Sequence, residues 1–415
     1  ERMFSVTLGR TGRLLLCLFA VLFILSGVAW AETITVAVGG WAVEDTKRAI
    51  EELGFTEKTG IKVEVVTRPG AAPDFLSQMT SAIMAGTTPY DVVDMEDECF
   101  ISMSRAGWLE PLDDLYDDEF WEDWPQAMLD MMEVWNIYNG ELLRIPHNYE
   151  AQYFWYRKDI LDGMGLEVPQ TWEEIIEVGK QVSGDGVWGI SDGLAKGAYL
   201  MVNLGYWTLQ AGGNAFDVGP ELRTALQFLH DMMYEHEIFP VAALNRDFDA
   251  LNQDYMHDRV VMMRQWPYFY DVSRANTEWF HEDKAVITLP PAGPGGRATY
   301  AAAWGWTIPK TSTKKEAAKT FIEFMTSIEN APKLAEMSVW WLSARHSVMD
   351  RVGDQGIAKY MKMYSDAGVI KTRPFHPRFM EAGTILEDIA SAYLTNQITL
   401  DEAMRRAEQR IAELD

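Results

Sequence analysis

The sequence predicts an α/β protein in which helices cover a mostly parallel sheet, built around more than one hydrophobic core. Strand-like and helix-like segments alternate from residue 33 onward, and this order is typical of parallel sheets covered by helices. The chain has 415 residues, of which 48% are hydrophobic and 24% charged, which is enough for two or three cores. After the turn signal Asn139-Gly140 a second body of the same type follows.

The first body begins with a β-branched segment. Residues 33–38 form a short apolar run that ends at Gly39-Gly40, and a helical pattern then continues to Gly54, where glycine favours termination. The same order of strand and helix repeats twice. The predicted strands are 33–38, 61–66 and 91–95, and the predicted helices are 44–53, 74–84 and 101–106.

The second body begins beyond Asn139-Gly140, a dipeptide that predicts a hairpin turn. Thr171 with Glu174 three positions later forms a capping box, which predicts the start of a helix that continues to Val182. Further predicted segments are extended at 152–156 and 300–308 and helical at 197–210, 221–234 and 314–325. The C-terminus is predicted to be helical, with an apolar stripe of Leu400, Met404, Ala407 and Ile411.

Residues 1–31 have the features of a secretory signal peptide. Arg2, Arg10 and Arg13 precede an apolar run at 14–25, and Ala29-Trp30-Ala31 is a small-residue cleavage site. The alternative, an uncleaved membrane anchor, needs about 20 apolar residues, and this segment is shorter. Cys17 lies at the start of the apolar run and not after small residues, which disfavours lipid attachment. We therefore expect cleavage after Ala31 and a mature protein free in the periplasm.

Charge and cysteine content exclude several classes of protein. The chain carries 36 basic and 62 acidic residues, a net charge of −26, so it repels nucleic acid and slows the approach of anionic solutes. Removing three Arg and one Glu with the signal peptide changes the charge to (36−3)−(62−1) = −28. Cys17 and Cys99 form no CxxC pair, and the seven histidines show no zinc-binding spacing. We expect no metal and no cofactor.

Motifs of hydrolases and phosphate-binding proteins are also missing from the sequence. There is no G-x-S-x-G elbow. Gly293-Pro294-Gly295-Gly296 follows two prolines and opens no helical pattern, so it predicts a loop and not a phosphate-binding turn.

Seven stretches, in order, resemble one known family. They are Tyr90-Asp91-Val92-Val93, Ala106-Gly107-Trp108-Leu109-Glu110-Pro111-Leu112, Tyr156-Arg157-Lys158-Asp159-Ile160, Val168-Pro169-Gln170-Thr171-Trp172-Glu173-Glu174, Gln210-Ala211-Gly212-Gly213, Gly305-Trp306-Thr307-Ile308-Pro309-Lys310, and Ala317-Ala318-Lys319 with Phe321-Ile322. The sequence is similar in these places to the extracellular solute-binding proteins of ABC importers, family 1, the carbohydrate-binding branch that includes maltose-binding protein.

This resemblance implies a two-lobed periplasmic-binding-protein fold, with several hinge crossings and an interlobe cleft that encloses the solute. The implied N-terminal lobe comprises residues 32–145 and 297–343, and the implied C-terminal lobe comprises 146–296 and 344–415. Two lobes that close on a hinge can desolvate a small polar ligand while both contribute hydrogen bonds. The family carries out no enzyme chemistry, and its partners are a small carbohydrate and the transmembrane subunits of a permease.

Four tryptophans are candidates for stacking on a sugar ring. Trp41 follows the end of the first strand, where open α/β sheets bind ligands. Trp266 occupies the place of a turn tryptophan in the family, although Gln265 replaces a small residue there. Trp304 lies where the family more often has glycine, which favours a small ligand, and Trp341 precedes the late hinge segment, with Trp340 expected in the core. The alternative for each is ordinary core packing, which is the usual place of a tryptophan.

Polar candidates lie near the predicted strand ends and crossings. Asp94 and Glu96 end the third strand, although acidic residues in that region can simply be solvated. Asn148, Tyr149 and Glu150 lie on the first crossing, where His147 is expected to be structural. Arg345 on the last crossing is a further candidate.

Asn203 and Trp207 share one helix face and are candidates too, with a buried helix seam as the alternative.

The leading hypothesis is a periplasmic carrier that binds a neutral sugar, small oligosaccharide or polyol and delivers it to a membrane permease, acting as a monomer. Two alternatives remain open. A secreted carbohydrate-active enzyme would use a pair of acids such as Glu96 and Glu150. A chemosensory co-receptor could have the same fold and would be distinguished by its protein partner.

Overall fold

The computed structural model describes residues 32–197 and 199–414. The predicted signal peptide lies outside the described residues, and its cleavage after Ala31 stays a prediction. Within the described ranges, no helix is both long and apolar enough to cross a membrane.

Short strands and mostly longer helices alternate along the chain. The strands are β1 (Thr33–Val38), β2 (Lys62–Thr67), β3 (Val92–Glu96), β4 (Ile137–Tyr138), β5 (Glu141–Leu142), β6 (Ile145–Pro146), β7 (Glu150–Ala151), β8 (Tyr153–Tyr156), β9 (Trp188–Ser191), β10 (Val260–Gln265), β11 (Val286–Thr288), β12 (Thr299–Ala302), β13 (Trp304–Thr307) and β14 (Ile370–Thr372). The helices are α1 (Val43–Glu52), α2 (Phe55–Thr59), α3 (Ala72–Met84), α4 (Asp97–Arg105), α5 (Asp118–Glu122), α6 (Gln126–Trp135), α7 (Lys158–Met164), α8 (Trp172–Val182), α9 (Tyr199–Ala211), α10 (Pro220–Tyr234), α11 (Phe248–Met256), α12 (Phe269–Ala275), α13 (Lys315–Thr326), α14 (Ala331–Met337), α15 (His346–Val352), α16 (Ala358–Asp366), α17 (Phe379–Leu394) and α18 (Leu400–Ala412).

The first lobe is built on a five-stranded sheet in the order β2-β1-β3-β13-β6. Strands β1, β2 and β3 are parallel, while β13 runs antiparallel to β3 and pairs Trp304 with Glu96. Ile34, Val36 and Val38 of β1 are fully buried, because helices cover the sheet and apolar β-branched residues fit its interior. The carboxyl ends of the three parallel strands therefore lie along one edge.

The second lobe is built on a four-stranded sheet in the order β11-β8-β10-β9. Strand β10 is buried along its whole length and pairs with β9 in parallel and with β8 antiparallel. In α18, Ala407 and Ile411 are buried and Leu400 and Met404 pack partly buried against the core, so the predicted C-terminal helix and its apolar stripe are confirmed.

A third sheet has the order β14-β12-β7. Two of its strands, β7 and β12, lie on segments of the chain that pass from one lobe to the other. Strand β7 falls between β6 of the first lobe and β8 of the second, and β12 falls between β11 of the second lobe and β13 of the first. The backbone N–H of Tyr149 donates to the carbonyl of Leu342 at 2.9 Å. This bond ties the first crossing to the last one.

A buried ionic hub joins the crossings. Asp97, at the start of α4, accepts a hydrogen bond from Arg144, another from Arg373 at 3.3 Å, and one from the backbone N–H of Ala303 at 3.2 Å. Arg373 also pairs with Glu98. Although burial acts to raise it, the adjacent Arg373 guanidinium holds the pKa of Glu98 below its ordinary value. These bonds therefore link four separate parts of the chain, around residues 97, 144, 303 and 373.

Most of the predicted elements are confirmed. Thr171 caps α8 by accepting a hydrogen bond from the N–H of Glu174 at 3.2 Å, and Asn139 and Gly140 both have positive φ, 53° and 82°, as a tight hairpin turn requires. Several boundaries differ, and the helix predicted at 101–106 begins at Asp97. Trp135 ends α6, where it shares a buried helical face with Met128, Met131 and Met132. The extended segment 300–308 divides at Ala303 into β12 and β13.

Candidate functional site

Loops at the carboxyl ends of β1, β2 and β3 form the edge of the first lobe. The loop after β1 contains a single turn, Gly40–Ala42, that presents Trp41 with 55% of its surface exposed. A Cβ on Gly39 would come within 2.4 Å of the Trp41 ring, so only glycine allows the indole to fold back over the chain. The ring also lies against Gly70, in the loop after β2. Trp41 is thus an exposed aromatic surface in a defined orientation.

Three tryptophans from distant parts of the chain meet at this edge, and we call them the tryptophan patch: Trp41, Trp304 and Trp340. Trp304 begins β13, and its ring centroid lies 5.4 Å from that of Trp41 and 5.3 Å from that of Trp340. Trp41 and Trp340 are 6.4 Å apart, edge to face. Such tilted and edge-on arrangements are the favoured ones for aromatic pairs. Trp340 was expected in the core, yet it is partly exposed.

Arg68, which the sequence analysis did not select, lies behind the tryptophan patch. Its guanidinium is 4.8 Å from the ring centroid of Phe75 and 5.1 Å from that of Trp304. The Nε atom donates to the carbonyl of Asp94 at 2.8 Å, and Nη2 lies 3.7 Å from a carboxylate oxygen of Glu96. Nη2 makes no hydrogen bond to any described residue. A buried positive group with a free donor therefore lies at the end of β2.

Glu96 ends β3 and is partly buried beside Arg68. Burial raises the pKa of Glu96 to about 7, although the positive charge of Arg68 acts in the opposite direction. The thiol of Cys99 donates to its carboxylate at 3.2 Å. Near neutral pH this carboxyl group can therefore donate or accept a hydrogen bond, depending on its proton.

Asp94, in contrast to Glu96, is fully buried. Its Oδ1 atom lies 2.8 Å from Nε2 of His147, and both side chains are buried. The imidazole packs among Trp306, Trp340 and Trp341, with centroid distances of 4.9, 5.4 and 4.9 Å. Asp94 thus orients His147, and the imidazole helps to hold these three tryptophans in place.

The first crossing supplies a linked pair of polar side chains. Asn148 is fully buried; its Oδ1 accepts from the backbone N–H of Trp304 at 2.7 Å, and its Nδ2 donates to Glu150 at 2.9 Å. Burial, together with the negative charges of Asp94 and Asp97, raises the pKa of Glu150 to about 8. At pH 7 Glu150 is therefore mostly protonated and can act as a hydrogen-bond donor.

Tyr149 is 2% exposed, so it contributes to packing between the crossings.

The candidates of the second lobe fall into two groups. Trp266 is partly buried, with its ring 6.4 Å from Phe248 and 6.3 Å from Tyr300. By contrast, Trp207 and Asn203 lie inside the lobe: the indole N–H of Trp207 donates to Asp192 at 2.9 Å, and Asn203 donates to the carbonyl of Tyr199 at 3.1 Å. Of these three residues, only Trp266 is partly exposed.

The last crossing places its two candidates away from the exposed edge. Trp341 is 1% exposed. Arg345 is buried against the rings of Phe120 and Trp124, at 4.9 and 5.0 Å, and its Nε donates to Asp123 at 2.7 Å. The guanidinium of Arg345 is therefore bound by side chains of the protein itself.

Across residues 32–197 and 199–414, no cluster of three or more His, Cys, Asp or Glu side chains is arranged to hold a metal ion. The edge offers instead an exposed indole, a buried cation and two carboxyl groups that retain protons near neutral pH. These are groups for binding a polar solute through stacking and hydrogen bonds.

Two α/β lobes joined by several crossings, with aromatic and polar groups at the strand ends, define a solute-binding protein of the hinged, two-lobed type. Residues 41–332 match the bacterial extracellular solute-binding protein family, and the chain belongs to that family.

Similar proteins bind different solutes. A probable amino-acid ABC transporter periplasmic-binding protein of Sinorhizobium fredii is 23% identical over 66% of this chain, which spans 64% of that relative's length. The mannitol-binding protein of Pseudomonas aeruginosa is 24% identical over 74% of this chain and 76% of its own. Among solved structures, maltose-bound MalE3 of T. maritima superposes with a TM-score of 0.78 at 25% identity, covering 93% of this chain and 100% of that one.

Proposed function

We propose that this protein is a periplasmic carrier that captures a neutral sugar or polyol and delivers it to the transmembrane subunits of an ABC permease. The observation that carries the proposal is the exposed ring of Trp41 packed against Trp304, which in turn contacts Arg68 next to Glu96. A flat aromatic surface suits the C–H face of a sugar, while the polar groups suit its hydroxyls. The names of the mannitol-binding relative and of maltose-bound MalE3 support the same class of ligand.

The proposed site comprises Trp41, Arg68, Glu96 and Trp304 from the first lobe, with Trp266 from the second. Asn148 and Glu150 on the first crossing complete it. A ligand with contacts to both lobes would favour the closed arrangement, which is the state that a permease can recognise. We propose the lobe boundaries given above, a monomer, and release from the membrane by cleavage after Ala31.

The proposal predicts that the protein binds its ligand without converting it chemically. The protein starting at Glu32 is screened by thermal shift against neutral sugars, polyols, amino acids and phosphorylated sugars, and hits are titrated by calorimetry. A ligand at 100 times its dissociation constant stabilises the folded state by about 2.7 kcal/mol. The expected result is one-to-one binding of a neutral sugar or polyol that is recovered unchanged. Preferential binding of an amino acid or a phosphorylated sugar, or conversion of the ligand, would contradict it.

A further inference from the structure

The ring of Trp304 lies at the centre of the tryptophan patch and is partly exposed. The Arg68 guanidinium lies 5.1 Å from its ring centroid, and the rings of Trp41 and Trp340 lie 5.4 and 5.3 Å away. Trp304 leaves less open ring surface for a sugar than Trp41 does. We therefore treat it as a wall beside the exposed Trp41 ring.

The wall is held in place from several directions. Asn148 accepts the backbone N–H of Trp304 at 2.7 Å, and strand pairing with Glu96 fixes its position in the sheet. The Trp41 ring lies against Gly39 and Gly70, and a Cβ on Gly39 would come within 2.4 Å of it. Because these contacts exist before any ligand binds, the space beside the patch is limited in advance.

Exposed ring surface is what a chain of sugars needs, since each further unit requires a further stacking face or hydrogen-bonding group. Within the tryptophan patch, Trp41 is exposed and Trp304 and Trp340 are only partly so. The patch therefore offers one open indole, which matches one sugar ring or a linear polyol of about that length.

Resting on the proposed function, we propose that Trp304 is a residue that determines specificity by limiting ligand length: it blocks the first-lobe end of the cleft and restricts the ligand to a monosaccharide or polyol. Removing its indole would leave space next to Trp41 and Trp340, whose newly uncovered rings could then stack against a second and third sugar unit.

Calorimetry on the wild-type protein and the Trp304→Gly variant tests this proposal with monosaccharides, hexitols and linear trisaccharides, including D-glucose, D-mannitol and maltotriose. We expect the wild-type protein to bind its best short ligand at least 100-fold more tightly than any trisaccharide. We expect Trp304→Gly to narrow that ratio at least tenfold, through tighter trisaccharide binding. The matched control is Trp279→Gly, a partly buried tryptophan that contacts Arg157 and Asp258 in the second lobe, which should leave the ratio unchanged.

Folding of each variant is checked by circular dichroism, and Trp304→Ala, which also removes the indole, replaces Trp304→Gly if the glycine variant does not fold. A wild-type preference for trisaccharides, or an unchanged ratio in the folded variant, would overturn the length limit while leaving a carbohydrate carrier intact. Failure of the folded wild-type protein to bind any carbohydrate would overturn the proposed function itself, and the length limit with it.

Discussion

Replacement of Glu150 by glutamine should make the protein less sensitive to alkaline pH. Burial and the negative charges of Asp94 and Asp97 raise the pKa of Glu150 from 4.5 to about 8. A carboxyl group whose pKa is higher in the folded state stabilises the fold while it is protonated, and this contribution is lost as the pH rises from about 4.5 through 8. The difference of about 3.5 pKa units corresponds to at most about 5 kcal/mol at 1.36 kcal/mol per unit.

We expect roughly half of this ceiling, on the order of 2 kcal/mol, because Glu150 is only partly buried and water relaxes around the charge. The free energy of unfolding is measured by urea denaturation at pH 5, 7 and 9, for the wild-type protein, Glu150→Gln and the exposed control Glu141→Gln. Near pH 5 the glutamine variant should match the wild-type protein, since it resembles the protonated acid. At pH 9 it should be the more stable of the two. Parallel pH profiles for all three proteins would refute the reasoning.

Three further results are expected. Trp266→Ala should weaken ligand binding by about 2 kcal/mol and keep the fold; a loss of about 3–5 kcal/mol of stability with normal binding would instead identify a core residue. Arg345→Met should lower the free energy of unfolding by about 3–5 kcal/mol, because it leaves Asp123 buried without its cation, and calorimetry should find ligand affinity little changed; a large loss of affinity with normal stability would place Arg345 in the site. Mass spectrometry of the exported protein should find an N-terminus at Glu32 without a lipid, and a retained 14–25 segment would contradict cleavage.

The sequence predicted those elements whose signals are local. Strands β1 to β3 have apolar β-branched runs with glycine or polar stops, and the capping box of α8 is complete within four residues. Trp41 could be selected for the same reason, since it directly follows a strand end. Arg68 also follows a strand, but a basic residue before Pro69-Gly70 is typical of a solvated loop. The burial of Arg68 depends on Phe75 from α3 and Trp304 from β13.

Partners far apart in the chain account for the other gaps. Arg345 pairs with Asp123, 222 positions away, and no local pattern in the sequence predicts that contact. For the adjacent Trp340 and Trp341, the sequence placed Trp340 in the core and selected Trp341, whereas the structure buries Trp341 and leaves Trp340 partly exposed. The choice depends on His147, which packs against both rings and bonds to Asp94.

The ionic hub of Asp97, Glu98, Arg144 and Arg373 bears on how dissolved salt acts on the hinge. Its two carboxylates and two guanidinium groups balance in charge and are largely buried, so mobile ions screen them much less than they screen the surface. The rest of the chain is strongly acidic, with a net charge of −26, and repulsion between the lobe surfaces weakens as counterions accumulate. Raising the ionic strength should therefore favour the approach of the two lobes while leaving the ion pairs of the hub unaltered.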